Sequence, residues 1–234
     1  RLKRGIYSLR GDLVKNIIGI GISPFSMNVC ACMVVIFINN QLVRFGGDMS
    51  VGAFGIANRI VFIFVMFVMG INQGMQPIAG YNYGAQKLDR MMQVVKLSII
   101  AATAIMILGW FLAMLAPRQC VILFTTDQHL IDTTVHGMQR MMLMLPIVGY
   151  QMVITNFFQC IGKVKISIFL SLSRQLLFLL PALALLPIWF GLDGVWLAQP
   201  VSDLIASVVT AWIMIVYMHK FKLQHKENQY GRQE

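Results

Sequence analysis

The sequence predicts an all-α membrane protein, a bundle of six transmembrane helices, and both composition and charge spacing point to it. Of the 234 residues, 58% are hydrophobic and 12% are charged, about half the charged share of an ordinary soluble domain. So few charges cannot supply the polar surface that a soluble protein of this length needs. We therefore expect lipid to cover much of the exterior.

Charged residues separate long runs that contain none. The first two runs, from Lys15 to Arg44 and from Arg59 to Lys87, hold 28 and 27 uncharged residues. A helix needs about 20 apolar residues to cross a bilayer, whereas most helices buried in soluble proteins are shorter. The run lengths predict six spans, near residues 15–40, 53–80, 91–116, 138–160, 165–190 and 194–218.

The predicted connections between spans are short and carry turn residues. Gly46-Gly47-Asp48 and Gly191-Leu192-Asp193-Gly194 mark two of them, because glycine supplies the positive φ that tight turns need. The longest connection, about 117–137, is predicted to be external, with Thr126 capping a short helix before the fourth span. The chain therefore divides into a cytoplasmic lead-in, a transmembrane bundle and a polar, frayed cytoplasmic tail, at residues 1–14, 15–219 and 220–234.

The 19 Lys and Arg residues are distributed unequally between the two ends of such a bundle. An alternating topology places 14 at one end and Arg44 and Arg118 at the other, while Arg59, Arg140 and Arg174 lie within or at the ends of spans. Excess positive charge marks the cytoplasmic side, so we expect an inner-membrane protein with both termini cytoplasmic. The net charge of +10 then reflects orientation in the lipid bilayer, and no nucleic-acid partner is expected.

Nothing in the sequence recommends catalysis or a bound metal. It has no Gly-x-x-x-x-Gly-Lys-[Ser/Thr] phosphate loop, no His-Glu-x-x-His pair and no nucleophile elbow. Cys30 and Cys32 are two residues apart and point to different faces of a helix, and His129 and His136 lack ligand partners at suitable spacing. We expect a protein that is not an enzyme and holds no metal or organic cofactor.

Polar side chains inside the predicted spans are the candidate site residues, because each is costly to expose to lipid. They recur at helical spacing, as with Gln151 and Thr155 in the fourth span and Gln199 and Asp203 in the sixth. Two interpretations stay open: a shared, partly hydrated cavity, or hydrogen bonds between helices. The candidates for a substrate or ion cavity are Asn28, Asn39, Gln73, Gln76, Gln151, Thr155, Asn156, Gln199 and Asp203.

Asp203 is the one carboxylate well inside a predicted span. It lies roughly 13 Å from the outer end of its helix, and Arg59, about eight residues into the second span, lies at a comparable depth. A lone charge at that depth is costly. We therefore expect Asp203 either to pair with Arg59, the preferred arrangement, or to be neutral and hydrogen-bonded beside Gln199.

One stretch in the second span and the turn after it resembles a known family signature. It reads Gly74-Met75-Gln76-Pro77-Ile78-Ala79-Gly80-Tyr81-Asn82-Tyr83-Gly84-Ala85. This closely resembles the motif that ends the eighth of twelve helices in the multidrug and toxic compound extrusion (MATE) family. Residues 120–127 and 191–203 are similar to that family's segment between helices nine and ten and to the start of its twelfth helix. The chain thus resembles helices seven to twelve, and a first residue other than Met also suggests a segment of something longer.

The resemblance implies the C-terminal six-helix lobe of a two-lobe, twelve-helix antiporter that exports small amphipathic, often cationic drugs, with an N-terminal six-helix lobe as partner. Na⁺ or H⁺ would drive alternating access of the two lobes. Some members carry an acidic pair in helices seven and ten, where this sequence offers Asn28, Asn39, Gln151 and Asn156, so we expect the coupling ion mainly in the other lobe. The alternatives are a lipid-linked saccharide flippase of the same superfamily and a non-transporting six-helix scaffold.

Overall fold

The computed structural model describes the backbone of residues 11–230 and side chains chiefly from Asn28 to His219. Residues 1–10 and 231–234, and with them most of the predicted lead-in and the end of the predicted tail, lie outside the described residues. Between 11 and 230 the chain is almost entirely helical. Its elements are α1 (Gly11–Gly84), α2 (Leu88–Leu115), α3 (Pro117–Ile122), α4 (Gln128–Met141), α5 (Leu145–Cys160), α6 (Val164–Leu172), a π-helical segment (Ser173–Leu179), α7 (Leu180–Phe190) and α8 (Leu192–Tyr230).

Helix α1 consists of two spans joined at a break. Gly47 has φ 68° and ψ −176°, a backbone conformation that residues with a Cβ atom rarely adopt. Val34 and Asn58 line the same cavity, although a straight helix would hold them about 36 Å apart, so the chain doubles back at Gly47. We call residues 11–46 α1a and residues 48–84 α1b.

In the part of the chain that the structure describes, four helices are long and apolar enough to cross a bilayer: Asn28–Gly84 within α1, Leu88–Leu115, Val164–Phe190 and Leu192–His219. Helices α4 and α5, bent by 56° at their junction, make a fifth if they count as one span. The first of these helices covers 57 residues, and the break at Gly47 divides it into two crossings. The fold is therefore the predicted all-α bundle of six transmembrane spans.

The ends of two helices differ from the sequence-based expectation. Helix α8 continues beyond the predicted span to Tyr230, through a stretch of the predicted tail in which no Gly or Pro interrupts the helix. Asp127, not Thr126, caps α4: its Oδ1 accepts a 2.9 Å hydrogen bond from the backbone N–H of His129. A carboxylate at this position also interacts favourably with the helix dipole.

Glycine allows α1b, α2 and α5 to pack closely. Gly109 of α2 lies against the ring of Phe64 in α1b, and Gly149 of α5 lies against the backbone of Ala102 in α2. A Cβ atom at Gly149 would come 2.9 Å from the Ala102 carbonyl oxygen, which is closer than such contacts allow. Small residues at these points let membrane helices approach one another, so the three helices pack closely within the bundle.

A charged cluster joins α4 to the beginning of α8, at the end of the bundle that is predicted to be external. Arg140 donates a hydrogen bond to the Asp193 carboxylate and also contacts the His136 ring. His136 Nε2 lies 3.3 Å from Asp193 Oδ1. Just below, Gly137 of α4 packs against the buried Trp196 of α8. These contacts hold α4 and α8 together, and both helices line a cavity described next.

Candidate functional site

Two cavities in the bundle share four polar or charged residues. The first, about 200 Å³, lies between α1a, α1b, the π-helical segment and α8. The second, about 250 Å³, lies between α1b, α4, α5 and the same four residues. Those residues, which line both cavities and which we call the shared quartet, are Asn58, Arg174, Gln199 and Asp203. They are the candidate functional site.

The walls beyond the quartet are mostly apolar. Val34, Ile38 and Phe54 line the first cavity, to which Gln175 and Ser202 add further polar groups. The second cavity is lined, outside the quartet, by apolar side chains alone, which are Val61, Phe62, Val65, Met69, Met141, Leu145, Val148 and Met152. Apolar walls with a few converging polar groups are the usual lining of sites for small organic molecules.

The quartet contains an ion pair. Arg174 Nη1 lies 3.3 Å from Asp203 Oδ1. The Asp203 side chain is 7% exposed and that of Arg174 is 31% exposed, so the carboxylate is covered while the arginine side chain, which lines both cavities, is partly exposed. Removing one member of a buried pair leaves an uncompensated charge, which costs about 3–5 kcal/mol. The pair therefore holds the π-helical segment and α8 together.

The π-helical segment determines where Arg174 points. Its wider turns occupy residues Ser173–Leu179 and end two residues before Pro181, which has no N–H to donate to a preceding carbonyl. Ser202 Oγ of α8 donates a 2.8 Å hydrogen bond to the carbonyl oxygen of Arg174. Single π-helical turns inside α-helices frequently occur at functional sites. This one brings both the backbone and the side chain of Arg174 to α8.

Asp203 pairs with an arginine, but the prediction that the partner is Arg59 was wrong. Arg59 lies outside both cavity linings, whereas Asn58, the residue before it, lines both. One residue rotates a side chain by about 100° around the helix axis, which turns Arg59 away from Asp203. Gln199, predicted to lie beside Asp203, does line the same cavities. Depth along a span does not determine the direction in which a side chain points.

Two other predicted site residues meet outside the quartet. Gln76 Nε2 of α1b donates a 3.1 Å hydrogen bond to Asn156 Oδ1 of α5. Asn156 Nδ2 in turn donates to the carbonyl oxygen of Met152 at 2.8 Å. This arrangement is a hydrogen bond between helices, one of the two interpretations left open for the polar residues.

The remaining predicted residues lie outside both cavity linings. Gln151 is buried, and its carbonyl oxygen accepts a 2.9 Å hydrogen bond from Thr155 Oγ1. Asn39 is half-buried, while Asn28 and Gln73 are exposed on α1. Whether these side chains contact a substrate or an ion stays a prediction.

Sequence reasoning missed half of the quartet, Asn58 and Arg174. The position of Arg174 inside the predicted span 165–190 was an available signal, because charged residues within spans tend to be functional. Asn58 was overlooked beside the charged Arg59, although its amide is also a polar group within a span. Neither residue could be assigned to Asp203 without knowing how the helices are rotated.

The quartet supplies groups for binding. It offers amides, a partly exposed guanidinium and a covered carboxylate, next to two apolar chambers. Among the residues that the structure describes, no three His, Cys, Asp or Glu side chains come together as a metal site. The arrangement suits an organic molecule with one polar end and an apolar body.

Comparison with known proteins identifies the family. A family model described as MatE matches residues 22–183, more than half of the chain. The chain belongs to the MatE family. Multidrug export protein MepA of Staphylococcus aureus (strain MSSA476) is 24% identical over 212 residues, which are 91% of this chain and 46% of MepA. MepA of Staphylococcus haemolyticus (strain JCSC1435) is 25% identical over 211 residues, 90% of this chain and 45% of that protein.

Solved structures of MatE relatives share the fold. The MATE multidrug transporter DinF-BH, solved as a complex, is 38% identical with a TM-score of 0.75, over 88% of this chain and 46% of that one. An inward-facing MATE family transporter of the MOP superfamily has a TM-score of 0.85 at 20% identity, over 92% of this chain and 50% of that one. This MatE chain thus spans about half the length of the relatives it matches, the size of one lobe.

Proposed function

We propose that this MatE chain is the C-terminal six-helix lobe of a secondary active multidrug efflux antiporter, and that the shared quartet is part of its compound-binding wall. The observation that carries the proposal is the meeting of two largely apolar cavities at an ion pair and two amides inside one lobe. Apolar walls bury the body of an amphipathic compound, while the polar groups orient its head. Relatives described as multidrug export proteins support this function.

The second cavity suits compounds of varied shape. Met69, Met141 and Met152 come from α1b, α4 and α5 and line it together. Methionine side chains are unbranched and polarisable, so they adapt to different apolar surfaces at promiscuous binding sites. A lining of this kind favours export of several small drugs over recognition of one.

The coupling ion, Na⁺ or H⁺, is proposed to bind mainly in the N-terminal lobe. Asp203 is the carboxylate that lines the two cavities of this lobe, and Arg174 already neutralises it at 3.3 Å. A cation that bound Asp203 would displace Arg174 and leave the guanidinium uncompensated at membrane depth, which is costly. Alternating access also needs two bundles around one site, so one lobe is expected to supply one wall.

The proposal includes the surroundings of the lobe. Its partners are the lipid bilayer, the transported drugs and the N-terminal lobe. The excess of Lys and Arg at one end of the bundle supports an inner-membrane location with both ends of the segment cytoplasmic. A lipid-linked saccharide flippase would need a larger and more cationic groove than two cavities of about 200 and 250 Å³ with one arginine between them.

Transport by the full-length protein in sealed vesicles tests the proposed function. Ethidium movement is followed by fluorescence under an imposed Na⁺ gradient, under an imposed pH gradient and with neither. We expect movement with one gradient only, and none from vesicles that contain residues 1–234 alone. No movement of ethidium or another drug under either gradient would contradict the proposal. Transbilayer movement of a lipid-linked saccharide in the same vesicles would indicate the flippase.

A further inference from the structure

We propose that the guanidinium of Arg174 binds the acidic head group of an amphipathic compound, so that this lobe accepts anionic amphiphiles at the junction of its two cavities. The proposal rests on the proposed transport function in one respect, because it names a substrate class for the same site. It differs from the expectation of mainly cationic drugs. Hydrogen-bond donors, exposure and the cavity walls each support it.

The first support is the number of donors left on the guanidinium. An arginine side chain carries five N–H donors in a planar fork and cannot lose its charge in a protein. Among the described residues, the structure shows one hydrogen bond from this fork, from Nη1 to Asp203 Oδ1 at 3.3 Å. The other donors are available to a ligand that faces the cavities. A carboxylate, sulfonate or phosphate matches them best, because these anions accept two parallel N–H bonds from one arginine.

The second support is the unequal exposure of the two charges. The Arg174 side chain is 31% exposed and the Asp203 side chain 7%. More of the arginine side chain than of the carboxylate is therefore open to a molecule in either cavity, although the pair is neutral as a whole. A cation could reach Asp203 only by separating the pair, which would leave an unpaired guanidinium. Arg174 and Asp203 are the only charged residues in the two described linings, so no further carboxylate attracts a cation there.

The third support is the position of the guanidinium relative to the apolar walls. Arg174 lines both cavities, with Asn58 and Gln199 on the same shared boundary. An acidic head at Arg174 would leave the apolar body in the first cavity, against Ile38 and Phe54, or in the second, against Val65 and other apolar side chains. The two amides can donate to oxygens of the head group that Arg174 does not reach. The site therefore recognises a head and a body together.

A pair of probes with one ring system and opposite charge tests the proposal. Naphthalene-2-sulfonate and 2-naphthyltrimethylammonium are dialysed against the full-length protein in phosphatidylcholine nanodiscs, with empty nanodiscs as background. We expect the protein to bind the sulfonate more tightly than the ammonium. Arg174→Gln should weaken sulfonate binding about tenfold or more, since it removes charge-assisted hydrogen bonds. Arg174→Lys should restore part of the affinity.

The matched control is Arg59→Gln, the same substitution at an exposed arginine outside both linings, and it should leave sulfonate binding unchanged. Asp203→Asn keeps the guanidinium and removes its competing carboxylate, so it should tighten sulfonate binding severalfold. If Arg174→Gln does not fold, the sulfonate affinity of Asp203→Asn tests the proposal instead. Tighter binding of the ammonium by the unmodified protein, an unaffected Arg174→Gln, or unchanged sulfonate affinity in Asp203→Asn would each overturn the proposal.

The anion has two possible sources, a lipid head group or a free compound, and competition separates them. Phosphatidylglycerol added to the nanodiscs should displace the sulfonate if the site holds a lipid phosphate, and should leave it bound if the site takes free compounds. Both results support anion binding at Arg174. Because dialysis needs no transport, sulfonate binding without drug movement in vesicles would contradict the proposed function alone. Drug movement without Arg174-dependent sulfonate binding would contradict this inference alone.

Discussion

Ser202 Oγ of α8 donates a 2.8 Å hydrogen bond to the carbonyl oxygen of Arg174, next to the residue, Asp203, that neutralises the Arg174 side chain. Adjacent residues of one span thus bind the backbone and the side chain of the same arginine. The bond therefore fixes the direction from which the guanidinium enters the cavities.

Ser202→Ala should lower the stability of the full-length protein by about 1 kcal/mol, because it removes a hydrogen bond between α8 and the π-helical segment. A thermal-shift measurement in detergent checks this. Ser207→Ala is the control, since Ser207 is also buried in α8 but donates within its own helix, to the Leu204 carbonyl at 2.7 Å. An equal shift in both variants would show that the bond to Arg174 contributes nothing particular.

Close packing of α5 against α2 gives a second prediction. A Cβ atom at Gly149 would lie 2.9 Å from the Ala102 carbonyl oxygen, whereas nothing lies within 4 Å of one at Gly70. Gly149→Ala should therefore destabilise the protein by about 1–3 kcal/mol, since a backbone must move. Gly70→Ala should be neutral or stabilising, because alanine favours the helix by about 0.5–1 kcal/mol. Equal melting temperatures for the two variants would contradict this.

The spans and the shared quartet show how far the sequence could predict the structure. Charge-free runs predicted the spans, and Gly46-Gly47-Asp48 predicted the break in α1, because both signals are local. The site depends on rotations of helices, which one residue changes by about 100°. Asp203 and Gln199 were therefore recognised as candidates from their own span. The pairing of Asp203 with Arg174 required the π-helical segment, for which the sequence carries no signal beyond Pro181.

The hydrogen bond between Gln76 and Asn156 gives a third prediction. It joins α1b to α5 at 3.1 Å, and bonds between membrane helices contribute about 0.6 kcal/mol on average. Gln76→Leu and Asn156→Leu should each destabilise the protein, and the double variant should cost less than the two together by about that amount. Unfolding in SDS measures the three free energies. Strict additivity would show that the two amides do not support each other.

The membrane orientation is open to a direct test. In a full-length protein without its native cysteines, single cysteines replace Lys163 and Leu123 and are treated with an impermeant thiol reagent on intact cells. Leu123, which is 82% exposed, lies in the connection predicted to be external and should react. Lys163, in a turn predicted to be cytoplasmic, should react only after the membrane is opened. The reverse pattern would overturn the topology.

The ion pair itself gives the last prediction. Arg174→Gln and Asp203→Asn should each lower the free energy of unfolding by up to about 3–5 kcal/mol, because each leaves one buried group without its opposite charge. The double variant removes both charges, so it should lose much less unfolding free energy than the two single variants together. The difference, which is the coupling energy, should lie near the upper end of the usual range of about 0.5–3 kcal/mol. SDS titration of the full-length protein measures all three, with Arg59→Gln as the near-neutral control for an exposed arginine. If the costs simply add, Arg174 and Asp203 do not hold the π-helical segment to α8. If Asp203→Asn also retains full ion-dependent efflux, Asp203 acts neither in coupling nor in gating.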